Sequence, residues 1–148
     1  MKFIFIFLLS LNAFAHDGGH GPAVKDGGLY GGILASVMKT SDMKGHHHDN
    51  APIQYKAELI RAQDGTLTLY FHDKDMKKNS LADFSTDIMV KMEVKKGGKY
   101  VYVGEFKMIK KDHLYKGKLP AVRTRPFNLD VFPVVKNEKF FVGFSNLD

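Results

Sequence analysis

The chain has 148 residues, 44% of them hydrophobic and 26% charged, which suffices for one domain with its own core and hardly for two. It contains no cysteine, and so no disulfide, no thiolate metal site, no cysteine nucleophile and no cysteine-borne lipid anchor. The formal charge of +6 makes it basic, yet the lysines are scattered and the chain opens on an export signal, which argues against nucleic acid as a partner.

That signal is the first element. Lys2 precedes an almost unbroken apolar run from Phe3 to Leu11, and Ala13-Phe14-Ala15 forms a small-x-small cleavage site, so residues 1–15 read as a secretory signal peptide. A spanning helix needs about 20 apolar residues, so no membrane span is expected after its removal. The mature protein is expected in the periplasm.

Cleavage after Ala15 makes His16 the new N-terminus. Its α-amine, with a pKa near ~8, and its ring Nδ1 can then grip one ion in a small chelate ring, a nitrogen pair that suits Cu(II). His20 follows across Gly18-Gly19 and can close over the same ion. The competing reading is a frayed tail with incidental histidines. Residues 16–32 are glycine-rich and lack periodicity, which predicts a flexible N-terminal arm whose end Leu29-Tyr30, bracketed by two glycine pairs, pins to the core. No Gly-Lys-Ser/Thr follows these glycines, so they are not a phosphate loop.

A β-domain is expected over 33–148. Ile33 to Met38 reads as its first strand, and the polar, turn-rich stretch from Lys39 to Pro52 as an exposed loop that carries His46, His47 and His48. Tyr55 to Gln63 and Thr66 to Asp73 form a hairpin about Asp64-Gly65. Tyr55, Ala57, Leu59, Leu67, Leu69 and Phe71 alternate with Lys56, Glu58, Thr68, Tyr70 and His72, which places His72 on the outward face. A polar crossing from Lys74 to Thr86 follows, with Leu81 and Phe84 as its apolar plugs. In a second hairpin Ile88, Val90, Met92 and Val94 share a face, Gly97-Gly98 turns the chain, and Tyr100, Tyr102, Phe106 and Met108 share the returning face. Short strands are expected at His113 to Leu119, Phe127 to Val131 and Lys139 to Ser145.

No helical period interrupts these alternations. About seven or eight short strands with turn signals between them predict an all-β, antiparallel fold. The uneven loops favour a β-sandwich, Ig-like or cupredoxin-like, over a small closed barrel. Between Lys91 and Arg125 eleven lysines and arginines face only Glu93, Glu105 and Asp112, a face that suits an anionic partner or simply keeps strand edges apart.

Five of the seven histidines, His16, His20, His46, His47 and His48, fall in two predicted loops and none at a predicted core position. Imidazole is the commonest metal ligand, so these five are the candidate metal ligands, and loops at one end of a β-domain can meet. Met38 and Met43 flank the triple histidine, where thioethers would extend affinity to Cu(I), although Met38 also suits the end of a buried strand. No serine sits in a nucleophile elbow and no His-Glu-x-x-His occurs, so catalysis is not expected.

The signal ending directly before His16 and His20, together with the strand pair Tyr55-Lys-Ala-Glu-Leu-Ile and Thr66-Leu-Thr-Leu-Tyr-Phe-His-Asp, resembles the small periplasmic β-sandwich proteins of copper and heavy-metal handling, of the CopC-like kind. The resemblance covers residues 16–73 and extends beyond only by architecture. It implies a copper carrier or sequestering protein beside an efflux or resistance system, with the N-terminal histidine among the ligands. The bunching of His46 to His48 departs from that pattern and leaves the third ligand open.

Two functions follow as expectations. One is an exported metal-binding protein for copper, or secondarily zinc or nickel, partnered by a metal efflux or envelope protein. The other is a cell-envelope interaction module with no metal role. In either, the fold is expected to depend on no histidine.

Overall fold

The computed structural model describes residues 27–43, 53–77, 81–121 and 124–148. The five histidines taken as metal ligands, the signal peptide and most of the N-terminal arm lie outside them. Among the described residues no helix is long and apolar enough to cross a membrane.

The alternating segments become strands β1 (Ile33–Lys39), β2 (Tyr55–Arg61), β3 (Thr66–Asp73), β4 (Asp87–Lys96), β5 (Lys99–Lys111), β6 (Leu114–Lys118), β7 (Phe127–Phe132), β8 (Val134–Val135) and β9 (Glu138–Leu147). The only helical turn is 3-10, over Thr40–Met43 among the described residues. The fold is all-β and antiparallel, as expected. It is not a sandwich. The strands run in the order β1-β2-β3-β6-β5-β4-β7-β9, and β9 returns to β1, so eight of them close a barrel while β8 adds to β9.

Closure depends on β9. Its later residues pair with β7, as in Val142 with Val131 and Phe144 with Leu129, while Phe140 and Phe141 pair with Lys39 and Met38 of β1. One ten-residue strand therefore serves both neighbours and removes the edges that a sandwich would leave. Register shifts at Met92/Glu93 and at Phe127/Leu129 bend the wall, as bulges do. Uneven loops do not prevent this. Given the antiparallel order, the crossing from β3 to β4 and the crossing from β6 to β7 pass over opposite ends of the barrel.

The two hairpin turns form for local reasons. At Asp64-Gly65 the Asp64 carboxylate accepts hydrogen bonds from the Thr66 amide at 2.9 Å and its hydroxyl at 2.8 Å, with Lys118 also on it, and Gly65 takes φ 82°. These donors hold the Asp64 carboxyl down at about 2. Gly97 and Gly98, at φ 56° and 81°, give the mirror-image turn that strand twist favours.

Inside, the barrel is filled rather than hollow. Val37, Ala57, Leu67, Leu69, Val90, Met108, Phe127 and Val142 are buried from every side, and Leu81 and Phe84 close one end as the expected plugs. Tyr115 spans this interior and donates its hydroxyl hydrogen to the Ser85 carbonyl. Burial of the ring pushes the Tyr115 phenol up to about 12.

One strand departs from the predicted facing. Met108 is buried and Phe106 packs on the core, but Met92 pairs with Gly104 and Glu93 with Tyr102, leaving Val103 as the extra residue of a bulge. The alternation slips there, and Tyr102 is 54% exposed instead of sharing the inward face.

Candidate functional site

The sequence-derived ligands His16, His20, His46, His47 and His48 fall outside the described residues, and among the described ones no group of three or more His, Asp or Glu could hold a metal ion. A polar centre is nevertheless present on the outside of the barrel. It is built on the first hairpin.

The register of β1, β2 and β3 sets side chains of the outer face in rows. Leu34, Glu58 and Tyr70 form one row, and Ser36, Lys56 and His72 form the next. Glu58 and His72 point away from the core, as their alternation requires, yet both are 0% exposed, and Ser36 is 6% exposed. His72 thus lies on the outward face, as expected, and is nevertheless fully buried. Period-two alternation tells which way a side chain points and not what lies over it.

What lies over it includes residues 27–32, drawn across the hairpin as a strap. Gly28 to Gly31 forms a turn closed by a hydrogen bond from the Gly31 amide to the Gly28 carbonyl at 3.1 Å. The amides of Tyr30 and Gly32 both donate to Glu58 Oε1 at 2.8 Å. The Tyr30 ring stacks on Tyr70 at 4.2 Å between centroids and lies 6.1 Å from the His72 ring. The glycines permit this close approach. A Cβ on Gly28 would fall 2.1 Å from Glu58 Oε1, and one on Gly32 would fall 2.7 Å from the Leu59 carbonyl.

Glu58 thus receives three N–H donors: two strap amides on Oε1, and His72 Nε2 on Oε2 at 3.0 Å. A carboxylate only accepts, so Nε2 carries the hydrogen in this pair. In a neutral ring that leaves the lone pair on Nδ1, which is buried and among the described residues has no hydrogen-bond partner, as is true of Ser36 Oγ in the same row. A buried imidazole with one nitrogen fixed by a carboxylate and the other unengaged has the arrangement that metal-binding histidines take, in which the carboxylate sets the tautomer and raises ligand basicity.

Glu58 and His72 were in view in the sequence as outward residues but not as a site. The signal that locates them is the Gly-Gly-Leu-Tyr-Gly-Gly run, since two glycine pairs about an aromatic residue suit a backbone lying flat on its neighbour. An ionisable residue beneath such a strap must be partnered.

Comparison with family models, with curated proteins and with solved structures finds no match for this chain.

Proposed function

We propose that the protein is an exported, periplasmic metal-binding protein, a copper carrier or sequestering protein beside an efflux or resistance system, in which His72 Nδ1 serves as the fixed ligand of a site that the arm completes. The observation that supports this is the buried Nδ1 of His72, unpartnered among the described residues, on a ring that Glu58 fixes through Nε2. His20 precedes Gly27 by seven residues, a length that spans at most ~24 Å when extended, so the strap tethers His16 and His20 within reach of His72. Imidazole nitrogens and a terminal amine suit Cu(II) first, then nickel and zinc. His46, His47 and His48 lie on the connection that leads from β1 to β2 and are the remaining candidates. The reading is of a binding protein and assigns no reaction.

The test is a Cu(II) titration of the protein, of a His16→Ala/His20→Ala variant and of His72→Gln, with circular dichroism to confirm that each is folded. Affinity is expected to fall at least tenfold in both variants, and to fall for the unaltered protein between pH 7.5 and pH 5 as protons compete for imidazole and amine, with free values near ~6.5 and ~8. Equal affinity in all three proteins would sink the site.

A second reading, an envelope interaction module without a metal role, is favoured by a different feature, the exposed Val101, Tyr102 and Val103 on β5. A partner retained from envelope extract in the presence of a chelator supports it, and one released by the chelator supports the metal reading.

A further inference from the structure

The barrel is closed by pairing, but one seam is closed over only a short length. β5 pairs with β4 from Lys99 to Ile109, and with β6 only at Ile109, Lys110 and Lys111. Among the described residues no strand pairs with the opposite edge of β5 from Lys99 to Glu105, and no backbone hydrogen bond outside the β4 ladder reaches it. Seven residues of bare ladder equal an ordinary strand in length, about 5–6 residues. Unprotected edges of this kind are templates for a further strand.

Three observations describe what such a strand must be. First, the edge carries apolar side chains in the open: Val101, Tyr102 and Val103 are all exposed. Second, beside it runs an open groove lined by Met92, Val94, Val103, Pro120, Ala121 and Thr124, which offers alternate apolar side chains of an added strand a place to enter. Third, the groove is basic on the β4–β5 side. Lys96 lines it and Lys99 stands on the edge strand, both exposed. The β4–β5 hairpin as a whole carries seven lysines against Asp87, Glu93 and Glu105, and Asp87 is already engaged by Lys107 at 2.6 Å.

We infer that the Lys99–Glu105 edge of β5 is a docking site for an extended acidic segment of another protein, added antiparallel or parallel as a further strand, with alternate apolar residues in the groove and carboxylates against Lys96 and Lys99. Backbone pairing supplies the affinity and the lysines select the charge. A second copy of this chain is the poorer occupant, because edge-to-edge pairing brings two lysine-rich hairpins of like charge together. The inference does not rest on metal binding, and its failure leaves the His72 site untouched.

The probe is a short synthetic peptide of alternating Glu and Val residues, titrated against the protein and followed by amide NMR. Shifts confined to Lys99–Glu105 and the groove residues are expected, with affinity that falls as salt is raised. An otherwise identical peptide N-methylated along one edge, which cannot pair its amides, is expected to bind at least tenfold more weakly. A Lys96→Glu/Lys99→Glu protein, checked for its fold by circular dichroism, is expected to lose at least tenfold for the acidic peptide and to gain for a Lys-Val counterpart. Equal binding of the N-methylated peptide would reduce the face to a diffuse basic patch and overturn the inference. So would no binding at all, or a concentration-dependent dimer whose amide changes fall on the same edge.

Discussion

The strap-covered face of β1, β2 and β3 and the bare half of β5 break the same rule in opposite directions. On the first, side chains that point away from the core are buried although two of them are a carboxylate and an imidazole. On the second, the outward Tyr102 and its neighbours Val101 and Val103 are apolar and stand in solvent. Outward-facing positions on a barrel should be polar and wet, and a fold tolerates an exception where something else compensates it. For Glu58 and His72 the compensation is visible, in three N–H donors and a stacked tyrosine. For Val101, Tyr102 and Val103 no compensation is visible among the described residues, and the inferred docking strand would supply it.

Removing one outward side chain from each region breaks the comparison most sharply. Glu58→Ala leaves the Tyr30 and Gly32 amides and the His72 ring without their acceptor, a loss of about 3–5 kcal/mol by analogy with other broken buried pairs. Tyr102→Thr, a larger change in apolar area, is expected within about 0.5 kcal/mol because that residue is 54% exposed. Urea unfolding of the two variants should show a large drop in midpoint for the first and almost none for the second, at unchanged slope. Similar losses in both would mean that β5 is stabilised in a way its exposure does not reveal. Glu58→Gln sharpens the same contrast, since an amide can donate to Nε2, drive the hydrogen onto Nδ1 and so weaken metal binding about 10–100-fold while the fold is kept.

A smaller effect is expected when the strap alone is lifted. Gly28→Ala sets a methyl group where Glu58 Oε1 now sits, and the strap or the carboxylate must move, at about 1–3 kcal/mol. Hydrogen exchange at the Tyr30 and Gly32 amides should accelerate in that variant while the interior strands stay protected.

These expectations show which parts of the molecule were legible before the fold was seen. The β2–β3 hairpin was readable from its alternation and from Asp64-Gly65, because both are local, and so was the outward direction of Glu58 and His72. Their burial was not, since it depends on residues 27–32 folding back across strands some thirty positions later in the chain. Closure was hidden for the same reason: it rests on Phe140 and Phe141 finding Lys39 and Met38, about a hundred residues away. The exposure of Tyr102 was lost to a single inserted residue, Val103, which turns every later side chain of an alternating pattern to the other face. In each case the local period was right, and a long-range contact or a bulge decided the outcome.

The least disruptive test falls on the residue where the two regions meet. Tyr115 belongs to β6, which joins β3 on one side and the closed end of β5 on the other, with Tyr115 opposite Leu69 and Lys110. Its ring is wholly buried and its hydroxyl bonds to the Ser85 carbonyl, so removing that oxygen in Tyr115→Phe strands one acceptor at about 1 kcal/mol. The pH dependence has a definite sign. Burial raises the phenol from an ordinary 10 to about 12, which means that the folded state holds this proton more tightly than the unfolded one. The corresponding stability is fully present below pH 10 and drains away as pH rises through 12. A spectroscopic titration of tyrosinate absorbance should therefore show a late component near that value, absent from Tyr115→Phe, and the variant should lose less stability than the parent between those two limits. A Tyr115 phenol that ionises at its ordinary value would mean that water enters the seam between β5 and β6 as far as the core, and that the closed and open parts of the barrel are not separate.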